Sequence, residues 1–205
     1  MTRFAILLAV GIMLALSGCS PKKEDPSQSD AEIAKAPDGP KLKELTVETI
    51  SQITDEALES IVLENIYATL GEDGMYDHGK VASLTPGQRA FYVTWILEGE
   101  VNNGGFNQYY YNTGGQLAGF GAEAFARIGA TKFADLVKEA ETIYADIKDD
   151  LEKNNDGTIE GFSKSYENNP LNDLDTRFFK TYGEEPITKL RVKFVRDNVS
   201  QFVGK

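Results

Sequence analysis

The chain holds one cysteine, one histidine and one tryptophan in 205 residues, and each scarcity excludes something. A single thiol, Cys19, cannot close a disulfide within the chain, so the fold must rest on its apolar core. One histidine and no second thiol make a zinc site, usually built on several His or Cys ligands, unexpected. That histidine, His78, lies among Gly and Asp residues, where it is expected to face solvent. Nothing in the spacing builds a Ser-His-Asp triad around it, and no nucleophile elbow, Walker loop or dinucleotide fingerprint is present. No cofactor or metal is expected, and no catalytic residue is assigned. The longest apolar run is shorter than the roughly 20 residues of a membrane-spanning helix. No segment alternates apolar and polar residues long enough to propose a sheet. Basic residues are also scarce: 21 Lys and Arg against 32 Asp and Glu give a net charge of −11. Such a chain is repelled by a phosphate backbone, so direct nucleic-acid binding is not expected. A basic protein partner, a cationic peptide or a divalent cation suits it better.

What is present begins with the leader. Arg3 precedes an apolar run from Phe4 to Leu16, followed by Ser17, Gly18 and Cys19. This is the plan of a secretory signal peptide, and Leu16-Ser17-Gly18-Cys19 resembles the lipobox of bacterial lipoproteins. The resemblance implies that residues 1–18 are removed and that Cys19 becomes the acylated first residue of the mature chain. Each buried methylene contributes about 0.8 kcal/mol to membrane affinity, so several acyl chains hold a domain at a bilayer. The expected address is the bacterial cell envelope. Ser20, in place of the Asp that retains Gram-negative lipoproteins at the inner membrane, favours the outer one. Losing Arg3 makes the net charge one unit more negative.

Residues 19–41 carry the lipidated cysteine and a linker rich in Pro, Lys, Ser and Asp, which reads as a disordered tether. About 20 such residues reach roughly 25 Å. Residues 42–205 form the expected single domain, all-α and multi-helical. Leu58, Ile61, Val62, Ile66 and Leu70 keep helical spacing, with Thr54 or Asp55 as the cap and Gly71 as the end. Gly74 to Leu84 reads as a loop. Thr85-Pro86-Gly87-Gln88 gives a cap, a first-turn proline and a capping-box glutamine. The helix after it is expected to run out at Asn103-Gly104-Gly105. A short aromatic segment, Phe106 to Asn112, follows. Leu117 to Ile128 is Ala-rich and predicted helical. Thr131 is the expected cap of the most amphipathic helix, with Phe133, Leu136, Val137, Ala140, Ile143, Tyr144 and Ile147 on one face. Two more helices, Leu171 to Tyr182 and Pro186 to Phe202, complete the domain.

The densest chemistry lies between Glu98 and Asn112, which packs four Asn, one Gln, two Glu and three Tyr into fifteen residues. Asn and Gly at a helix end make a turn, and aromatic residues make core. Buried together, amide and phenol groups need one another or a ligand. The candidate binding residues are Glu98, Asn102, Asn103, Gly104, Gly105, Phe106, Gln108, Tyr109 and Tyr110. The run Trp95-Ile96-Leu97-Glu98-Gly99-Glu100-Val101-Asn102-Asn103-Gly104-Gly105-Phe106-Asn107-Gln108-Tyr109 resembles the signature of the DNA-mimic-protein-nineteen-like family, a domain of unknown function. Leu174-Asp175-Thr176-Arg177-Phe178-Phe179 and Val195 to Phe202 resemble its C-terminal helices, so the likeness spans roughly Ser51 to Phe202.

That resemblance implies an acidic, all-helical domain. The family's namesake is a dimer whose carboxylates imitate DNA phosphates and occupy a transcription factor, which makes a homodimer a candidate here too. This chain differs in carrying an export signal. Duplex DNA also shows one charge per roughly 1.7 Å of axis, far denser than a net of −11 spread over a whole surface.

Two further features remain. Glu152 to Ser163 follows part of a calcium-loop pattern, but Ser163 stands where a bidentate Glu is needed, so an acidic loop is expected. Asp135, Glu139, Asp146, Asp149 and Asp150 offer an acidic surface. The leading expectation is a lipid-anchored binding protein rather than an enzyme. The alternative is a small-ligand or glycan receptor built on Glu98 to Asn112; an enzyme would need Glu98 or Glu100 as general acid or base.

Overall fold

The structure, a computed structural model, describes residues 44–204. The expected signal peptide, Cys19 and the linker therefore lie outside the described residues. Among those described are nine α-helices, two 3-10 turns and no strand, so the domain is all-α. The helices are α1 Val47–Gln52, α2 Asp55–Leu70, α3 His78–Ser83, α4 Pro86–Thr113, α5 Gly121–Arg127, α6 Thr131–Asn154, α7 Ile159–Lys164, α8 Asn172–Thr181 and α9 Ile187–Asp197; the turns are Glu72–Gly74 and Val199–Gln201. No helix among them is long and apolar enough to cross a membrane.

The central element is α4, which packs against α2, α5, α6, α8 and α9. Its start follows the sequence signals. Thr85 accepts from the Gln88 N–H, the Gln88 side chain accepts from the Thr85 N–H, and Pro86 occupies the first turn. Phe91, Tyr92, Val93, Leu97, Val101 and Phe106 are fully buried along it. A ring cluster closes the far side. Phe178 meets Phe106 edge to face at 5.6 Å and Phe133 at 4.9 Å, the geometry favoured by aromatic quadrupoles. On α6, Phe133, Leu136, Val137 and Ala140 are buried as expected, and Ile143, Tyr144 and Ile147 pack on the core while partly exposed.

Several boundaries differ from the sequence reading. The loop expected from Gly74 to Leu84 contains α3, whose N-cap Asp77 accepts from the Lys80 N–H. The segment Phe106 to Asn112 is the second half of α4, closed by Gly114 in the left-handed conformation. The Ala-rich helix begins only at Gly121, after turns. Thr131 is not the cap of α6: Ala130 occupies that position and makes no side-chain cap bond. The cap comes from Glu185, whose carboxylate accepts from the Lys132 N–H at 2.9 Å and the Phe133 N–H at 3.1 Å. A carboxylate at a helix N-terminus satisfies orphan donors and the dipole together. Thr54 stands at the N-cap of α2 without a side-chain bond. The last helix ends at Asp197, and a 3-10 turn completes the path to Phe202.

Candidate functional site

The signature segment is a helix broken at its middle. Gly104 has φ −163° and ψ 29°; Gly105 has φ 75° and ψ −179°. Only glycine adopts the second pair without strain. The break frees backbone groups, and residues distant in sequence take them up. Asp175 on α8 accepts the Phe106 N–H at 2.9 Å, and the Tyr166 hydroxyl donates to the Gly104 carbonyl at 2.8 Å. A Cβ on Gly105 would lie 2.6 Å from Asp175 Cγ, so the approach itself requires glycine. Asp175 is half-buried. Desolvation pushes its carboxyl above the usual range, and the bond from Phe106 opposes that shift.

Three polar clusters surround the break. The first is centred on Arg191 of α9, only 1% exposed. Its Nε donates to Glu59 of α2 at 2.6 Å. Its Nη1 lies 2.5 Å from Glu98 Oε2, an ion-pair distance without hydrogen-bond alignment. The guanidinium sits 5.4 Å from the Trp95 ring centre. Glu98 also accepts from the Tyr182 hydroxyl at 2.6 Å, and Asn102 donates to that hydroxyl at 3.0 Å. Burial and the Glu98 carboxylate push the Tyr182 hydroxyl well above its ordinary pKa.

The second cluster is centred on Glu100, which accepts from Tyr76 at 3.1 Å and from Gln108 and Asn112 at 2.8 Å each. The third joins α4 to the chain after α7. Asn107 donates to Ser165 at 2.7 Å, and Asn169 donates to Asn107 at 2.6 Å.

The candidate residues thus separate by environment. Gly105, Phe106, Gln108, Tyr109 and Tyr110 are buried; Glu98 and Gly104 are partly so; Asn102 and Asn103 are exposed. Tyr109 donates to the Leu117 carbonyl at 3.3 Å. Tyr110 stacks on Tyr144 at 4.1 Å, and its buried hydroxyl has no partner among the described residues. Residues that the sequence reading did not select include Arg191, Glu59, Asp175, Tyr166, Tyr182, Tyr76, Asn107 and Asn169. They lie far from the signature or on its quiet positions. Their one sequence signal was that so many amides and phenols needed partners.

The acidic residues stand apart from this site. Asp135, Glu139, Asp146, Asp149 and Asp150 are all exposed. At 100° per residue they fall on one side of α6, opposite Phe133, Val137 and Ala140, in a stripe roughly 22 Å long. Glu139 pairs with Arg177 of α8 at 2.7 Å and Asp150 with Lys153 at 2.7 Å. Asp135, Asp146 and Asp149 have no such partner among the described residues.

Elsewhere, Glu152 and Asn154 lie within α6, and Asp156 accepts from the Thr158 N–H at 2.9 Å. The calcium-like pattern is therefore a helix end and a turn. Among the described residues no group of three or more metal-ligating side chains forms. His78 starts α3 and is exposed as expected, stacked 4.7 Å from the Phe120 ring, with Nδ1 3.0 Å from the Gln116 carbonyl oxygen. A shallow groove of about 450 Å³ opens away from the signature, between the end of α5 and α9, lined by Arg127, Leu190, Lys193, Phe194 and Gln201 among others.

The fold and its polar seam define an acidic all-helical domain organised around a broken central helix. The chain belongs to the DMP19-like protein family, whose model matches residues 82–198. The match starts inside α3, so α1 and α2 lie outside it although Glu59 of α2 supplies one carboxylate to Arg191. No curated protein and no solved structure matches the chain.

Proposed function

We propose that this protein is a lipid-anchored binding module of the bacterial cell envelope, held through acylated Cys19, that engages a basic protein partner through its acidic surface. The observation that carries this reading is how the signature spends its polar groups. Glu98, Glu100, Asn107 and Gln108 are bonded to other parts of the same fold. Glu98 and Glu100 each accept hydrogen bonds from neutral groups of the same fold, and the groove between α5 and α9 is lined by none of these residues. The α6 stripe, by contrast, presents exposed carboxylates without a role in the core. Literal DNA mimicry is not part of the proposal: five carboxylates along about 22 Å of helix compare with some thirteen phosphates on the same length of duplex, at roughly 1.7 Å per charge.

The anchor reading makes a direct prediction. Cys19→Ala removes the acyl acceptor in Leu16-Ser17-Gly18-Cys19. The variant should leave the membrane fraction or remain unprocessed. Normal processing with unchanged fractionation would remove the lipoprotein from this account.

A further inference from the structure

The chain as a whole has a net charge of −11, yet around the groove between the end of α5 and α9 the balance is reversed. Arg127 and Lys193 line this groove, and Arg89 faces Glu123 beside Arg127. Lys189 stands one turn before Lys193 on α9, exposed and without a carboxylate partner among the described residues. Against these four cations stand two carboxylates, Glu123 and Asp197. Neither carboxylate commits its cation. Arg127–Glu123 and Lys193–Asp197 are one-turn pairs on a helix surface, with all four side chains at least 39% exposed. Water screens such pairs, so an incoming carboxylate exchanges with them at little cost. Arg89 holds no ion pair: it donates to the Ala82 carbonyl at 3.0 Å and lies over the Phe120 ring.

The floor between the cations is apolar. Leu190, Lys193, Phe194 and Asp197 follow at i, i+3, i+4 and i+7, so they form one face of α9, and Ile128 lines the groove from the α5 side. Leu190 packs on the core and is still partly exposed. The groove is shallow, about 450 Å³. A small molecule buries most of its surface in its pocket, whereas this groove covers one side of an occupant. A helix laid along α9 meets such a face with its own side chains at the same i, i+3, i+4 spacing.

We propose that the α5–α9 groove docks an acidic, amphipathic helical segment of a protein partner. Apolar side chains of that segment rest on Leu190, Phe194 and Ile128. Its flanking carboxylates meet Lys193 on the α9 side and Arg127 with Arg89 on the other. This site is opposite in charge to the α6 stripe and shares no residue with it, so it stands or falls independently of the reading given above.

The probe is a fluorescein-labelled synthetic helix with leucines at i, i+3, i+4 spacing and glutamates on their flanks. It is titrated onto the full-length protein in nonionic detergent, against a protein-free detergent blank, and followed by anisotropy. The expected result is saturable binding that weakens as salt rises. K193E and R127E should each weaken it about tenfold with unchanged circular dichroism, since both side chains are exposed. L190A should weaken it about threefold at low and high salt alike, because it removes floor and no charge. K148E makes the same charge change at an exposed lysine toward the far end of α6 and should leave binding within twofold of the wild type. No binding, or binding that K193E and R127E weaken no more than K148E does, overturns the proposal. Concentration-dependent self-association that K193E abolishes would assign the groove to a second copy and overturn the proposed occupant. Flotation with anionic phospholipid vesicles that K193E and R127E abolish, without peptide binding, would assign it to a membrane and do the same.

Discussion

Asp175 and Phe106 are 69 positions apart, yet the carboxylate of one caps the backbone N–H of the other at 2.9 Å. That bond starts the second half of α4 at the place where Gly104 and Gly105 stop the first. It explains why a run of Asn, Gly and aromatic residues forms neither a loop nor a separate segment. The chain makes one helix in two pieces, and α8 holds the joint.

Gly105→Val tests the joint from the α4 side. A β-branched residue at φ 75° costs about 1–3 kcal/mol for the conformation alone, and its Cβ would press on the Asp175 carboxylate. Urea unfolding should show a loss of at least that size. Unchanged unfolding would mean that the break does not have the described geometry.

Asp175 tests the same joint through pH. Its folded-state pKa is raised above the ordinary 3.8 by burial. The folded state therefore holds this proton more tightly than the unfolded state does. Its contribution favours folding below the unfolded value and declines as pH rises through the raised folded value. Asp175→Asn keeps an acceptor for Phe106 and removes the titration. The stability of wild type relative to this variant should fall as pH rises from about 3.5 toward neutrality. Asp175→Ala also loses the cap and should be about 1 kcal/mol less stable than Asp175→Asn at every pH. Parallel curves for wild type and Asp175→Asn would show that Asp175 is not desolvated.

Arg191 tests the link between α9, α2 and α4. It is buried between Glu59 and Glu98. Removing it leaves two carboxylates without their cation, and Arg191→Ala should cost about 3–5 kcal/mol. Combining it with Glu59→Ala should cost clearly less than the two single losses added. Strict additivity in that double-mutant cycle would contradict the buried pair.

The fold was legible in sequence wherever the signal is local. The capping box at Thr85 and Gln88, the apolar face of α6 and the C-cap Gly71 all read directly, because partners lie within a few positions. The misses share a cause. Glu185 replaces Thr131 as the α6 cap from 53 residues away. Asp175 and Tyr166 convert an apparent helix end into a joint. Periodicity carries no information about such pairs. α3 was missed for a different reason: six residues with Gly79 inside are too short to show a period. For the candidate site, the sequence indicated that the polar groups of Glu98 to Asn112 needed partners, and the unlocated partners were Arg191, Tyr182, Tyr76 and Ser165. The acidic stripe was visible from spacing alone, since an exposed face needs no partner to be recognised.

The central claim is that the α6 stripe binds a basic partner while the signature mainly builds the fold. Its most direct test is a binding isotherm for a partner captured by crosslinking in intact cells, measured at low and high salt. Wild type is compared with the triple reversal of Asp146, Asp149 and Asp150 to Lys. Exposed charges are screened over about 8 Å at physiological ionic strength, so the wild-type affinity should fall steeply with salt. The triple variant should lose at least tenfold in affinity at low salt while keeping its helical circular dichroism, since these side chains lie away from the buried face of α6. A salt-insensitive isotherm, with the triple variant binding as wild type does, would contradict the account.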